Sequence, residues 1–134
     1  MSFAESQPLA LVVDDDDVFR KRLCRAFADR NWEAEAVANG EEALRFVQDR
    51  SPDLVVVDLR MPGKSGLEVV EEMRSADSSM TIIMLTGYGS IPTAISATKL
   101  GADYYLSKPA DADQILDVYE NLRAAPILNP RSPE

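Results

Sequence analysis

Several residues of kinds that do chemistry stand at the ends of short apolar runs. Asp14 and Asp15 follow Leu9-Ala10-Leu11-Val12-Val13 and open a run of four aspartates that ends at Asp17. Asp58 follows Leu54-Val55-Val56-Val57 and leads into Leu59-Arg60-Met61-Pro62-Gly63. Thr86 closes Ile82-Ile83-Met84-Leu85 and precedes Gly87, and Lys108-Pro109 follows Tyr104-Tyr105-Leu106-Ser107. If the apolar runs are neighbouring strands, two or three carboxylates, one hydroxyl and one ammonium share a rim. Two carboxylates about 4 Å apart repel by about 4 kcal/mol at an effective dielectric near 20. A proton on one, or a cation between them, relieves that repulsion. Hard oxygen ligands at a small, water-accessible site favour Mg²⁺. With a metal on one side and Lys and Thr opposite, a carboxylate can attack a phosphoryl group whose oxygens are neutralised by its surroundings. The product of that chemistry is an acyl phosphate on aspartate.

Each residue also has a plainer role open to it. Asp16 or Asp17 suits a helix cap or first turn, where acids favour the dipole. Asp58 before a loop suits a turn, Thr86 before Gly87 another, and Lys108 a solvated surface. Jointly the plain roles explain less, because four strand ends carrying complementary charge are not expected of solvated loops.

The elements that must position these residues are legible. Phe19, Leu23, Ala26 and Phe27 fall on one face of a helix over residues 16–30. Ala34 to Val37 alternates as a short, less buried strand, and Asn39-Gly40 breaks the chain. Ala43, Leu44 and Val47 give a helix over 41–50 that ends at Ser51-Pro52. Leu67, Val70 and Met73 give a third helix over 67–75, residues 91–100 a weak fourth, and Ile115, Tyr119 and Leu122 the last. Apolar runs without alternation mean strands covered on both faces, as parallel sheets require. The expected fold is therefore α/β: a flavodoxin-like (βα)5 doubly wound domain with a five-stranded parallel sheet, order 2-1-3-4-5. The weaker runs 34–37 and 104–106 belong at its edges. Residues 1–8 read as a lead, 9–124 as the domain, and 125–134, with Pro126, Pro130 and Pro133, as a tail or linker.

Composition narrows the function. The 134 residues carry a formal charge of −9 and no histidine. Such an acidic domain is a poor duplex-DNA binder by itself. Without histidine it has no Ser-His-Asp triad, no His-ligated zinc and no phosphohistidine of its own. Cys24 stands alone, so no internal disulfide forms and a reducing compartment fits. The start lacks the charge and apolar stretch of a signal peptide, and apolar runs of about five residues fall far short of the roughly 20 a membrane span needs. A cytoplasmic location, without membrane contact, is expected.

From Leu9 to Arg123 these motifs resemble the receiver domain of two-component response regulators. They are Leu-Val-Val-Asp14-Asp15, Val-Val-Asp58-Leu-Arg-Met-Pro-Gly, Met-Leu-Thr86-Gly and Tyr105-Leu-Ser-Lys108-Pro109. The resemblance implies that Asp58 accepts a phosphoryl group from a sensor histidine kinase. It implies that Asp15 and Asp58 ligate Mg²⁺ with the backbone carbonyl of Arg60, while Asp14 holds a metal-bound water. Thr86 and Lys108 would contact the phosphoryl oxygens, Thr86 and Tyr105 would form a switch pair, and the Lys108–Pro109 bond would be cis. Arg60 and Tyr88, two residues beyond Asp58 and Thr86, would overhang the site and tune the phosphoryl lifetime. A homodimer through the last two helical faces is the family expectation.

Leu-Thr-Gly-Tyr-Gly-Ser-Ile-x-Thr-Ala, Lys-Leu-Gly-Ala-Asp and Lys-Pro-Ala-Asp-Ala-Asp carry a nearer resemblance, to redox-responsive regulators of the RegA/PrrA/ActR type. That type implies a helix-turn-helix output domain after a Pro-containing linker, and control of transcription. Here the chain stops at Glu134, which reads as a receiver parted from its output domain or a stand-alone one. Pro92 departs from the pattern where the fourth helix should begin, so that output face is expected to be stiffened or shifted.

Three other readings compete. Asp14-x-Asp16-x-Val18 fits the motif of haloacid-dehalogenase-type phosphatases, with Asp14 as nucleophile, but the chain leaves no room for a cap and shows no later acidic pair. A flavodoxin-like electron carrier would need a phosphate loop where four aspartates stand. A receiver-fold interaction module that works without phosphorylation has all the same residues.

Overall fold

The computed structural model describes residues 6–124. The expected tail at 125–134 and most of the expected lead at 1–8 lie outside them. Strands β1 (Leu9–Val13), β2 (Glu33–Val37), β3 (Leu54–Val57), β4 (Thr81–Thr86) and β5 (Tyr104–Ser107) alternate with helices α1 (Asp17–Asp29), α2 (Gly40–Asp49), α3 (Gly66–Ala76), α4 (Ile91–Leu100) and α5 (Ala112–Ala124). All five strands run parallel in the order β2-β1-β3-β4-β5, with the two less apolar strands at the edges. Thr81, Thr86 and Ser107 extend strands that the apolar runs alone made shorter. The ladder continues past the apolar side chains, pairing Leu54 with Thr81 and Thr86 with Ser107.

Alternation along the buried strands divides the core in two. Leu11, Val13, Val55, Val57, Ile82 and Met84 face one layer, where they meet Ala43 of α2, Val69, Val70 and Met73 of α3, and Ala97 of α4. Ala10, Val12, Leu54, Val56, Ile83 and Leu85 face the other, against Leu23 and Phe27 of α1 and Ile115 and Tyr119 of α5. Each buried Val, Leu, Ile, Phe or Met among them contributes roughly 1.5–3 kcal/mol through removal from water. Trp32 ties α1 to α5, its ring 6.0 Å from Phe27 and edge-on to Tyr119 at 5.1 Å.

The helices start where polar caps allow. Asp16, Asn39, Ser65 and Ser90 each accept a hydrogen bond from the backbone N–H three residues on. Asp111 and Gln114 exchange hydrogen bonds at the start of α5. Pro92 falls in the first turn of α4, where its missing N–H would have no intrahelical acceptor, so α4 still begins at Ile91. Among the described residues no helix is long and apolar enough to cross a membrane.

Candidate functional site

The site is hung from the last rungs of the sheet. The Asp14 N–H donates to the Val37 carbonyl at 3.2 Å, the Asp58 N–H to Val13 at 2.9 Å, and the Lys108 N–H to Thr86 at 3.0 Å. Each backbone is thus fixed by the neighbouring strand before its side chain leaves the sheet. Strand order reverses between β1 and β3, the point where open parallel sheets place their ligand sites. Asp14 and Asp58 lie on either side of that point.

Burial then sets the electrostatics. Asp14 is 2% exposed, Asp58 5% and Thr86 0%, so three polar groups sit inside the rim. Asp14 accepts the Asp16 N–H on Oδ1 and the Lys108 ammonium on Oδ2, both at 2.9 Å. Asp58 Oδ1 accepts the Leu59 N–H at 2.8 Å, and Thr86 Oγ1 accepts the Tyr88 N–H at 3.1 Å. Burial raises the Asp58 carboxyl above the ordinary carboxylate value and the Asp14 charge adds to this, while the Thr86 hydroxyl, Lys108 and the Leu59 N–H pull it down. The upward push prevails, so Asp58 is a carboxylate held at a cost, which raises its readiness to take a cation or an electrophile.

Oxygens of Asp14, Asp15 and Asp58 lie within 4.8 Å of one another. Asp15 is exposed and opens the cluster to water. Three hard oxygens, two buried and one wet, suit a small dication that keeps part of its water shell.

Asp14, Asp15, Asp58, Thr86 and Lys108 are therefore brought together as expected, and the Lys108–Pro109 bond is cis. Arg60 and Tyr88 meet each other, the guanidinium 4.5 Å from the ring centroid, so a contact joins the loops after β3 and β4. Tyr105 stands lower, beside Met84 in the ladder, and its hydroxyl is buried without a hydrogen-bond partner. Asp16 and Asp17 serve the helix instead. Asp16 caps α1, and Asp17 pairs with Arg20 at 2.9 Å and Lys21 at 3.2 Å. The phosphatase-like pattern Asp14-x-Asp16 thereby loses its second acid to capping.

Two contributors were not apparent from the sequence. Phe19, read there as core stripe, places its ring 4.2 Å from the Lys108 ammonium. Gly66 passes beneath Asp58. A β-carbon there would overlap the Asp58 carbonyl and lie 2.8 Å from Leu59 Cα. Its position eight residues after Asp58 and one after Ser65 was the available signal.

A doubly wound parallel sheet with three carboxylates, a threonine and a lysine at its switch point defines a class of regulatory α/β domains. The chain belongs to the response regulator receiver domain family, whose model matches residues 10–120. It is 46% identical over 115 residues to the photosynthetic apparatus regulatory protein RegA of Rhodobacter capsulatus, covering 84% of this chain and 62% of that one. It is likewise 46% identical over 106 residues to the acid tolerance regulatory protein ActR of Rhizobium meliloti, covering 79% and 55%. The chain thus spans little more than half the length of these curated relatives. Among solved structures it resembles a Burkholderia pseudomallei response regulator with a phosphorylated aspartic acid and a calcium ion, with TM-score 0.81 and 33% identity over 92% of this chain and 76% of that one. A CheY-like receiver domain from Methanospirillum hungatei gives TM-score 0.84 at 26% identity, covering 92% and 100%. The protein is a RegA/ActR-like receiver, a signalling domain of two-component systems. The electron-carrier and phosphatase readings fall with that membership.

Proposed function

We propose that Asp58 is the phosphoacceptor, taking its phosphoryl group from the phosphohistidine of a sensor histidine kinase. The observation that carries this is a buried carboxylate whose pKa is raised, set at the switch point with Thr86 and Lys108 in range. An Asp58 oxygen forms the new O–P bond as the P–N bond to the kinase histidine breaks, and the released imidazole nitrogen keeps the electron pair and takes up a proton. Lys108 and the Thr86 hydroxyl face the transferred oxygens. Asp15, Asp58 and the Arg60 carbonyl would hold Mg²⁺, with Asp14 reaching it through water. The metal supplies charge neutralisation at the phosphoryl oxygens. The domain's only catalysis would be of its own phosphorylation and dephosphorylation.

Phosphorylation would draw Thr86 inward and Tyr105 after it, shifting the packing of α4, β5 and α5 between two states. Ile91 and Ile95 on α4 and Tyr104 on β5 are exposed apolar side chains, which supports a homodimer through that face. The receiver would span 9–124 and act in the cytoplasm, controlling transcription through an output domain joined after 125–134, with no nucleic-acid contact of its own.

Intact-mass spectrometry after incubation with acetyl phosphate, with and without Mg²⁺, tests the reading. One phosphoryl group should add to the parent only with Mg²⁺, and none to Asp58→Asn, while Asp14→Asn reacts more slowly. Addition to Asp58→Asn equal to the parent would overturn it.

A further inference from the structure

We propose that Phe19 is a positioning residue for Lys108, its ring confining the ammonium to the strand ends against Asp14 and in range of Asp58. The role assigned to Lys108 rests on the phosphoacceptor reading above; the contact does not.

A lysine head is a strongly hydrated point charge on four rotatable bonds, and left alone it turns to water. Lys108 does not, since its side chain is only 24% exposed. Two partners hold it, Asp14 Oδ2 at 2.9 Å and the Phe19 ring at 4.2 Å. They act differently. A carboxylate takes a hydrogen bond and an opposite charge, and on its own would sequester the ammonium. An aromatic face attracts the cation without directing its N–H groups, so it limits where the head goes and leaves donors free for incoming oxygens.

Both arms are anchored. The Phe19 N–H donates to the capping carboxylate of Asp16 at 3.0 Å, which fixes the first turn of α1, and its ring packs against the α1–α5 side of the core. The Lys108 N–H is held by Thr86 across the last rung. The aspartate run therefore divides its work. Asp14 and Asp15 face the site, while Asp16 aims the residue that holds the lysine.

Phe19, Leu23, Lys108, Pro109 and Ala110 line an open groove of about 860 Å³, which leaves room for a larger ring at 19. This permits a test by loss and rescue with Phe19→Leu and Phe19→Trp. The Lys108 ε-methylene protons, assigned with Lys108→Arg, should lie upfield in the parent and in Phe19→Trp from the ring current. In Phe19→Leu they should move to the position of free lysine. The rate of Mg²⁺-dependent phosphoryl addition from acetyl phosphate should fall about threefold to tenfold in Phe19→Leu, the size of one cation–π contact, and recover in Phe19→Trp. Val47→Ala, on α2 in the core layer on the other side of the sheet, shows what general destabilisation does to the rate. Equal ε-proton shifts in the parent and Phe19→Leu would overturn the proposal, as would a parent-like rate in Phe19→Leu. If the parent itself takes no phosphoryl group, the phosphoacceptor reading falls, and the ε-proton shifts alone decide whether Phe19 positions Lys108.

Discussion

The Tyr105 hydroxyl lies over Gly89, in the space that a β-carbon at residue 89 would fill, with Tyr105 Cζ 2.6 Å from that point. The placement of the ring thus depends on the absence of a side chain three residues beyond the end of β4. It also leaves the hydroxyl buried with no partner. In the unphosphorylated protein, Gly89→Ala should push the Tyr105 ring from its place over residue 89 toward solvent. Hydration of the hydroxyl offsets about 1–3 kcal/mol of lost packing, so thermal stability should change little. Nitration of Tyr105, mapped by peptide mass, should rise several-fold; a parent-like rate would show that the ring makes room another way.

Thr86→Ala should still accept a phosphoryl group on Asp58, because the carboxylate and Lys108 remain. It removes the acceptor for the Tyr88 N–H and one of the groups that pull the Asp58 carboxyl down. Phosphorylated Thr86→Ala should dimerise, or bind its partner, no better than the unphosphorylated protein. Sedimentation of phosphorylated parent and variant side by side checks this, and equal dimerisation would contradict it.

Arg60 and Tyr88 are in contact with each other, so any effects they have on phosphoryl lifetime should not add. Arg60→Ala, Tyr88→Ala and the double variant should all lose the group faster, by about twofold to fivefold for a contact worth about 0.5–1 kcal/mol. Following decay by intact mass gives the comparison. Singles that multiply to the double would mean the two side chains act separately.

Asp58→Asn should stabilise the protein at neutral pH in buffer free of divalent cations. The Asp58 pKa is raised on folding, so the folded state holds the proton longer than the unfolded chain. Stability from this group is full below the ordinary carboxylate value and is lost as pH rises through the folded value. The gap between parent and Asp58→Asn should therefore open with rising pH across that window. Urea unfolding at a series of pH values reads it, and a gap that closes with rising pH would reverse the sign.

Gly66→Ala places a methyl group into the Asp58 carbonyl, so the loop or the strand end must move. A loss of about 1–3 kcal/mol in unfolding free energy is expected. Phosphoryl addition should slow as well, because the displaced backbone carries the acceptor. Unchanged kinetics with lost stability would place the strain elsewhere.

The fold was legible because its signals are strong and local. Four-residue runs such as Leu54 to Val57 have no polar position to turn outward, and alternating with helical stretches they point to parallel strands covered on both faces. The charged residues at strand ends were legible for the same reason, since they interrupt those runs. Phe19 was hidden because its apolar character already had an explanation in the α1 stripe. The contact with Lys108 depends on how the start of α1 meets the segment that follows β5, which no local pattern encodes. The Arg60–Tyr88 contact was half legible. Both side chains were placed over the site, but their meeting across two loops was not. Gly66 offered only its place after Asp58 and a cap, and Gly89 offered nothing, since a glycine declares its purpose only when the neighbouring atoms are known.

Because Asp14, Asp58 and Lys108 are each tied to the next strand by a ladder hydrogen bond, the sheet acts as the site's ruler. The gap between neighbouring strands is about 4.8 Å in any parallel sheet. The span between the two buried acids is inherited from that constant and does not depend on the loops beyond them. Loops bearing Arg60, Tyr88 and Gly89 lie beyond that ruler, while the spacing of the two acids stays fixed to a dimension that the backbone itself prescribes.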